Sequence, residues 1–330
     1  MRALIALVAA ALLLGLVYAG VGLAGQQYLF GIIIPYIAIA LFLVGLVYRI
    51  LLWAGAPVPY RITTTCGQEK SLPWIKQNRL DNPSGALGVL GRMALEVLLF
   101  RSLFRNTRTE LTPAQRVIYQ SDKLLWAGAL AFHWSFLIIF IRHLRFFLEP
   151  SPALVHHLEF FDGFFQLTVP TFLATDAIIL AALLFLLWRR FYDPQVRYIS
   201  LPADYFALFI LLGVAISGVF MRYVTKVDLV AVKELSIGLV TLKPVLPEGV
   251  GLPFFIHIFF VSVLFAYFPF SKLMHMGGVF LSPTRNLANN NRMRRHVNRQ
   301  NPEVEVHTYQ QWEEEFKDKL QAAGIPLDGE

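Results

Sequence analysis

A chain of 330 residues that is 56% hydrophobic and only 15% charged does not have the make-up of a soluble globular domain, which carries roughly a quarter charged residues. Long apolar runs and a mean hydropathy of +0.55 make it an integral membrane protein. The single cysteine, Cys66, excludes an intrachain disulfide and an iron–sulfur cluster held by this chain alone, and the lack of a CxxCH motif excludes covalent c-type haem.

In chain order, six segments are long enough to cross a bilayer, at approximately 3–24, 31–55, 123–147, 168–190, 204–224 and 252–274. The first, MRALIALVAAALLLGLVYAGVGLAG, has the outline of a cleaved signal sequence. Its apolar run is long enough to span, and it is expected to be retained. Between the second and third segments lies a polar stretch, 56–120, which turns amphipathic in ALGVLGRMALEVLLFRSLFRN. The spacing predicts a helix that lies along the membrane surface among anionic headgroups, or a docking surface for a soluble subunit; the two are compatible. The tail ends in a polar helical pattern, YQQWEEEFKDKLQAAG, and no internal repeat of the transporter kind is visible. The expected organisation is two N-terminal spans in 1–55, a loop in 56–120, a four-helix membrane region in 121–275 and a tail in 276–330.

Loop charge predicts orientation. The 56–120 loop holds Arg61, Lys70, Lys76, Arg79, Arg92, Arg101, Arg105, Arg108 and Arg116, and the fourth connection holds Arg189, Arg190 and Arg197. The tail adds Arg285, Arg292, Arg294, Arg295 and Arg299. With six spans these regions share one side, expected to be the cytoplasm, with both termini there and the chain in the inner membrane. The opposite loops are lighter: 148–167 carries Glu149, Glu159 and Asp162, and 225–251 is mixed in sign. The cationic surplus is assigned to membrane lipid and a docking partner, not to nucleic acid.

Eight histidines occur, and four fall in or at the edge of only two spans: His133 and His143 in the third, His257 and His275 in the last. Those spans run in opposite directions, so His133 and His275 lie toward the cytoplasmic face and His143 and His257 toward the outer face. Two imidazole pairs at two depths suit the axial ligands of two b-type haems, and coordination offsets the cost of imidazole in hydrocarbon. The spacings do not match on straight helices: ten residues advance about 15 Å and eighteen about 27 Å. Tilted helices are needed, or ligand side chains that lean in different directions with His275 just past a helix end. A proton relay or transporter with structural histidines would call for acidic partners within the spans, and only Asp176 and Asp204 are available. Arg142 and Arg145 flank His143 and suit either haem propionates or lipid headgroups. His156 and His157 read as polar surface or as proton acceptors from a quinol at the outer face, assisted by Glu159 and Asp162. His296 and His307 read as solvated surface, and Cys66 receives no chemistry.

The ten- and eighteen-residue spacings resemble the ligand pattern of the nitrate reductase gamma subunit family. In that family ligands pair crosswise between the two helices, which implies His133 with His275 and His143 with His257, and differs from the cytochrome b of bc complexes. The implied fold is an all-α integral membrane protein of six transmembrane helices, a dihaem cytochrome b bundle of the nitrate reductase gamma subunit type. The run TTTCGQEKSLPWIKQNRLDNP, followed by GRMALEVLLFRSLFRN, resembles a narrower family over nearly the whole chain. These are the haem b subunits (DsrM) of the membrane complex linked to dissimilatory sulfite reductase. The resemblance implies two haem b groups and electron exchange between membrane (mena)quinone and a cytoplasmic iron–sulfur subunit resembling heterodisulfide reductase (DsrK-like). Further membrane and periplasmic subunits are expected with it. A gamma-type subunit of a nitrate reductase or heterodisulfide reductase complex is the alternative within the class.

Overall fold

In lipid an apolar segment must satisfy its own backbone groups, and a helix does so within the segment. The computed structural model describes residues 1–57, 76, 78–163, 171–290 and 306–328; Cys66 and His296 lie outside the described residues. Five helical runs are long and apolar enough to cross a membrane: Arg2–Leu23, Leu29–Ala54, Lys123–Phe146, Pro202–Thr225 and Leu252–Phe270. Their regular α-helical parts are α1 (Arg2–Val17), α2 (Ile34–Ala54), α4 (Lys123–His143), α7 (Pro202–Phe220) and α9 (Leu252–Tyr267). Between α2 and α4 comes α3 (Ala86–Leu99), the helix expected from the amphipathic run.

The fourth predicted span begins later than expected and is less apolar. Its helix α6 (Ala174–Tyr192) carries Asp176, Arg189 and Arg190. Leu173 is extended, and the Thr175 amide donates to Asp162 Oδ1 at 2.8 Å, so the chain enters the helix only there. Contacts nonetheless run α6 antiparallel beside α4: Gly128 faces the Phe185 ring at one end, and Arg142 donates to Asp176 at the other. The remaining contacts order the bundle in the same way. Arg2 donates to the Tyr198 and Ser200 carbonyls at the start of α7. Along the α7–α9 interface, Tyr267 reaches Ala203 and Gly213 faces Phe260, an antiparallel match. Gly31 against Phe255 and Gly45 against Pro269 make α2 and α9 parallel. All six helices therefore alternate between two ends.

Three buried clusters join them. Ile179 and Leu183 of α6 meet Ile210, Leu211 and Leu212 of α7 and Phe260 and Leu264 of α9. Val17, Val21 and Phe30 surround Phe255 and Phe259. The connection 225–251, expected as a loop of mixed charge, contains α8 (Leu229–Val240), whose Val232 and Leu235 are buried against Ile32 and Phe254. Asp228 caps it through the Val230 and Ala231 amides. The 56–120 loop also holds an unforeseen hairpin, β1 (Thr107–Leu111) with β2 (Val117–Ser121), paired from Thr107–Ser121 to Leu111–Val117. Near the opposite end α5 (Ala153–Asp162) follows α4; the tail adds α10 (His275–Leu281) and α11 (Tyr309–Ala322).

Candidate functional site

The four intramembrane histidines come together as two pairs. The rings of His133 and His275 lie 5.8 Å apart, centre to centre, at 82°; those of His143 and His257 lie 6.3 Å apart at 14°. Each ring is fixed by one nitrogen. His133 Nδ1 donates to Ala129 O at 2.7 Å, His143 Nδ1 to Ile139 O at 2.7 Å, and His275 Nδ1 to Lys272 O at 2.9 Å. A carbonyl only accepts, so Nδ1 carries the hydrogen and Nε2 keeps its lone pair. His257 reaches the same state differently: Ser217 Oγ donates to Gly213 O at 2.7 Å and accepts from His257 Nδ1 at 2.9 Å. Among the described residues no hydrogen bond engages the Nε2 of any of the four.

This donor set fits the axial ligands of a haem. Two iron–nitrogen bonds of about 2 Å, with a further ~1 Å from each nitrogen to its ring centre, separate the centres by roughly 6 Å. Both pairs have that separation. Two histidines alone are too few for a structural zinc site, which takes four ligands, and among the described residues no group of three or more metal-ligating side chains forms. A macrocycle that brings four nitrogens of its own needs only the two.

The unequal spacings are reconciled by a break in the last span. α9 ends at Tyr267; Phe268–Phe270 and Lys272–Met274 are separate 3-10 turns, and between them Ser271 is extended, with φ −116° and ψ 177°. His275 therefore sits beyond the membrane helix, at the start of α10. Both rings meet partners ten residues apart on α4, so the eighteen residues from His257 do not run as one straight helix: the chain leaves the helix axis at this break.

At the end of the bundle holding His275 and Met1, which carries most of the cations, His133 is flanked by the rings of Phe132 and Phe100. Phe100 terminates α3 in the left-handed region, at φ 50°, and Trp126 and Trp134 of α4 donate to the Leu99 and Leu98 carbonyls. The amphipathic helix thus closes over the His133–His275 pair. At the other end Arg142 takes a different place from the one expected. It is buried, its two terminal nitrogens pair with Asp162 and Asp176, and its Nε is buried without a partner. Asp162, expected at a quinone site, is buried in this triad, where it also bonds Thr175. Arg145 pairs with Glu159. A cavity of about 830 Å³ opens beside them, lined by His156, Glu159, Phe160, Phe161 and Arg222; His157 is exposed and does not line it.

A profile of the nitrate reductase gamma subunit family matches residues 88–296, which include all four histidines. The chain belongs to the nitrate reductase gamma subunit family. Within it, the chain is 47% identical over 282 residues to the Hdr-like menaquinol oxidoreductase cytochrome b-like subunit of Archaeoglobus fulgidus, covering 83% of this chain and 84% of that one. The protein of the same name from Archaeoglobus profundus is 41% identical over 280 residues, 83% of each chain. The nitrate reductase gamma chain of Bacillus subtilis is 27% identical over 203 residues, 57% of this chain and 88% of that one. α1 and α2 precede the matched residues. Ser217 and Phe100 are site residues that sequence reasoning missed; a serine in an apolar helix usually bonds its own backbone, and only packing brings His257 to it.

Proposed function

We propose that this gamma-type chain is a dihaem cytochrome b that carries electrons through the bilayer between menaquinol and a cytoplasmic iron–sulfur partner in dissimilatory sulfur metabolism. The observation that carries the reading is the set of four imidazoles in two pairs, each with Nδ1 committed, Nε2 bare and ring centres about 6 Å apart. His133 and His275 hold the inner haem, and His143 and His257 the outer one. When bound, haem supplies one-electron redox chemistry at each pair.

The chain's own residues set the rest. The basic end, with both the N-terminus and the start of the tail, faces the cytoplasm of an inner membrane by the charge rule. The outer cavity takes the quinol. A quinol there gives up two protons and two electrons, and the His156 imidazole and Glu159 carboxylate on its wall accept the protons. Arg145 holds Glu159 in place, and Phe160 and Phe161 offer apolar faces to the ring. The names of the Archaeoglobus relatives support menaquinol as the substrate and membership of a multi-subunit complex. The loop run TTTCGQEKSLPWIKQNRLDNP supports the link to dissimilatory sulfite reductase and a heterodisulfide reductase-like (DsrK-like) partner.

A reduced-minus-oxidised optical spectrum of the purified complex tests this, with two haems per chain expected. Tyr in place of His143 or of His257 removes one and the same component; Tyr in place of His133 or of His275 removes the other. A folded protein without a b-type α-band sinks the reading, and a crossed pattern of losses overturns the pairing.

A further inference from the structure

At the basic end a cavity of about 720 Å³ opens beside the His275 ring, lined among others by Arg49, Trp53, Glu96, Lys272 and Arg285. Three cations face one carboxylate. Two of the cations are already committed: Lys272 pairs with Asp204 at 2.8 Å, and Arg285 pairs with Glu96 and donates to Ser102 Oγ. Arg49 is not. Among the described residues it makes no ion pair and no hydrogen bond, and its Nε is buried without a partner. Its charge is met only by the Trp53 ring, 5.5 Å from the guanidinium carbon.

An arginine near the end of a membrane helix ordinarily reaches out to the headgroups, whereas one turned inward pairs with something or lines a functional cavity. Arg49 sits on α2, five residues before its end, and its side chain lines a space that it shares with a haem ligand. Gly278 of α10 lines the same cavity against the Trp53 indole. We propose that Arg49 is the counter-charge for the propionate edge of the haem held by His133 and His275, seated in this cavity. The proposal rests on the dihaem reading. It gives α2, which lies outside the family-matched residues, a part in the inner site. A lipid phosphate offers the same anionic chemistry; the wall shared with His275 favours the cofactor carboxylate.

The test is a potentiometric titration of the purified complex, followed by EPR. The His133–His275 rings are near perpendicular and the His143–His257 rings near parallel. Perpendicular ligand planes leave the iron dπ orbitals nearly degenerate and parallel planes split them, so the two low-spin signals separate. A His275→Tyr variant identifies the inner one by its loss. A cation near the iron favours the reduced state, which has one positive charge fewer. Arg49→Gln therefore lowers the inner haem's reduction equilibrium constant by about tenfold, about 59 mV for a one-electron couple. The outer haem does not move, and Arg49→Lys titrates as wild type. Unmoved potentials in Arg49→Gln, a shift in the outer haem, or a lysine variant that shifts as far as the glutamine one each overturn the proposal. So does loss of co-purified phospholipid with both potentials unchanged. A wild-type protein without haem would instead refute the dihaem reading, a separate result.

Discussion

At Ser217 a hydroxyl, with the Val214 carbonyl beside it, sets which nitrogen of His257 is free. The three other imidazoles are oriented by carbonyls of their own chain segment three or four residues back, whereas His257 depends on a neighbouring helix. Partners that orient a ligating histidine are worth roughly 10–100-fold in affinity for the metal centre. Ser217→Ala is expected to weaken retention of the outer haem by a factor in that range and leave the inner one unchanged, measured by haem content through successive detergent washes. Arg142 makes a different residue-scale claim. Its side chain is 7% exposed and faces two carboxylates; removing one partner of a buried pair costs about 3–5 kcal/mol, because charge is left unpaired. Arg142→Gln should lower thermal stability by that order, and Asp176→Asn by less, since Asp162 remains to pair with the arginine. The four histidines were legible in the sequence because imidazole in an apolar run is an anomaly. The partners were not, because Ser217 lies 40 residues from His257 and the roles of Arg142 and Asp162 depend on which of several carboxylates folds back onto the helix.

The helices were legible where composition alone makes them. The five apolar runs fall close to their predicted bounds, and 86–99 folds as the amphipathic helix its spacing predicts. What composition does not encode is how an element ends. Pro269 marks a disturbance in the last span, but the extended Ser271, the two short turns around it and the left-handed Phe100 carry no residue signature that fixes them. α6 carries charge at both ends, where neighbours meet it, Asp176 by Arg142 and Arg189 by Asp122 at 2.8 Å. The break after α9 is held from the side by α2. A Cβ at Gly45 would lie 2.7 Å from Pro269 Cβ and 3.2 Å from the Phe270 ring. Overpacking of this kind costs about 1–3 kcal/mol and moves the backbone that yields most easily. Here that is the non-helical link that delivers His275. Gly45→Leu should therefore empty the inner site before the outer one, read as loss of the low-spin signal that His275→Tyr also removes. Equal loss of both signals would mean that the substitution disrupts the bundle rather than the link.

Across the whole molecule the two ends differ in how they are closed. The end that holds His143 is stitched by ion pairs from α4 to α5 and α6, while the basic end is closed by the tail strapped over the loop that precedes α3. Arg92 is buried there, donating to Asp81 O at 3.1 Å and to Leu287 O at 3.1 Å, and Asn289 Nδ2 donates to Asn82 Oδ1 at 2.7 Å. The positions of the cations in the sequence marked this end but could not show that the tail returns to the loop, since the contacts join residues roughly two hundred apart. Asp81 anchors the loop side of the strap. Burial pushes its carboxyl up. Hydrogen bonds from Arg105 and from Asn78 at 2.8 Å, with Arg101 3.0 Å away, outweigh burial and hold it below the ordinary value of 3.8. A carboxylate whose folded pKa is depressed adds stability above its unfolded value and loses it as pH falls through the folded one. The strap is thus tightest above pH 3.8 and loosens only in stronger acid. Other carboxylates titrate in the same range, so the informative quantity is the difference between wild type and Asp81→Asn. At pH 6 the variant should melt lower and release the tail faster to a protease, and that difference should shrink toward zero as pH falls below the folded value. A gap that persists undiminished at pH 2.5 would assign the effect to the shape of Asp81 and not to its charge.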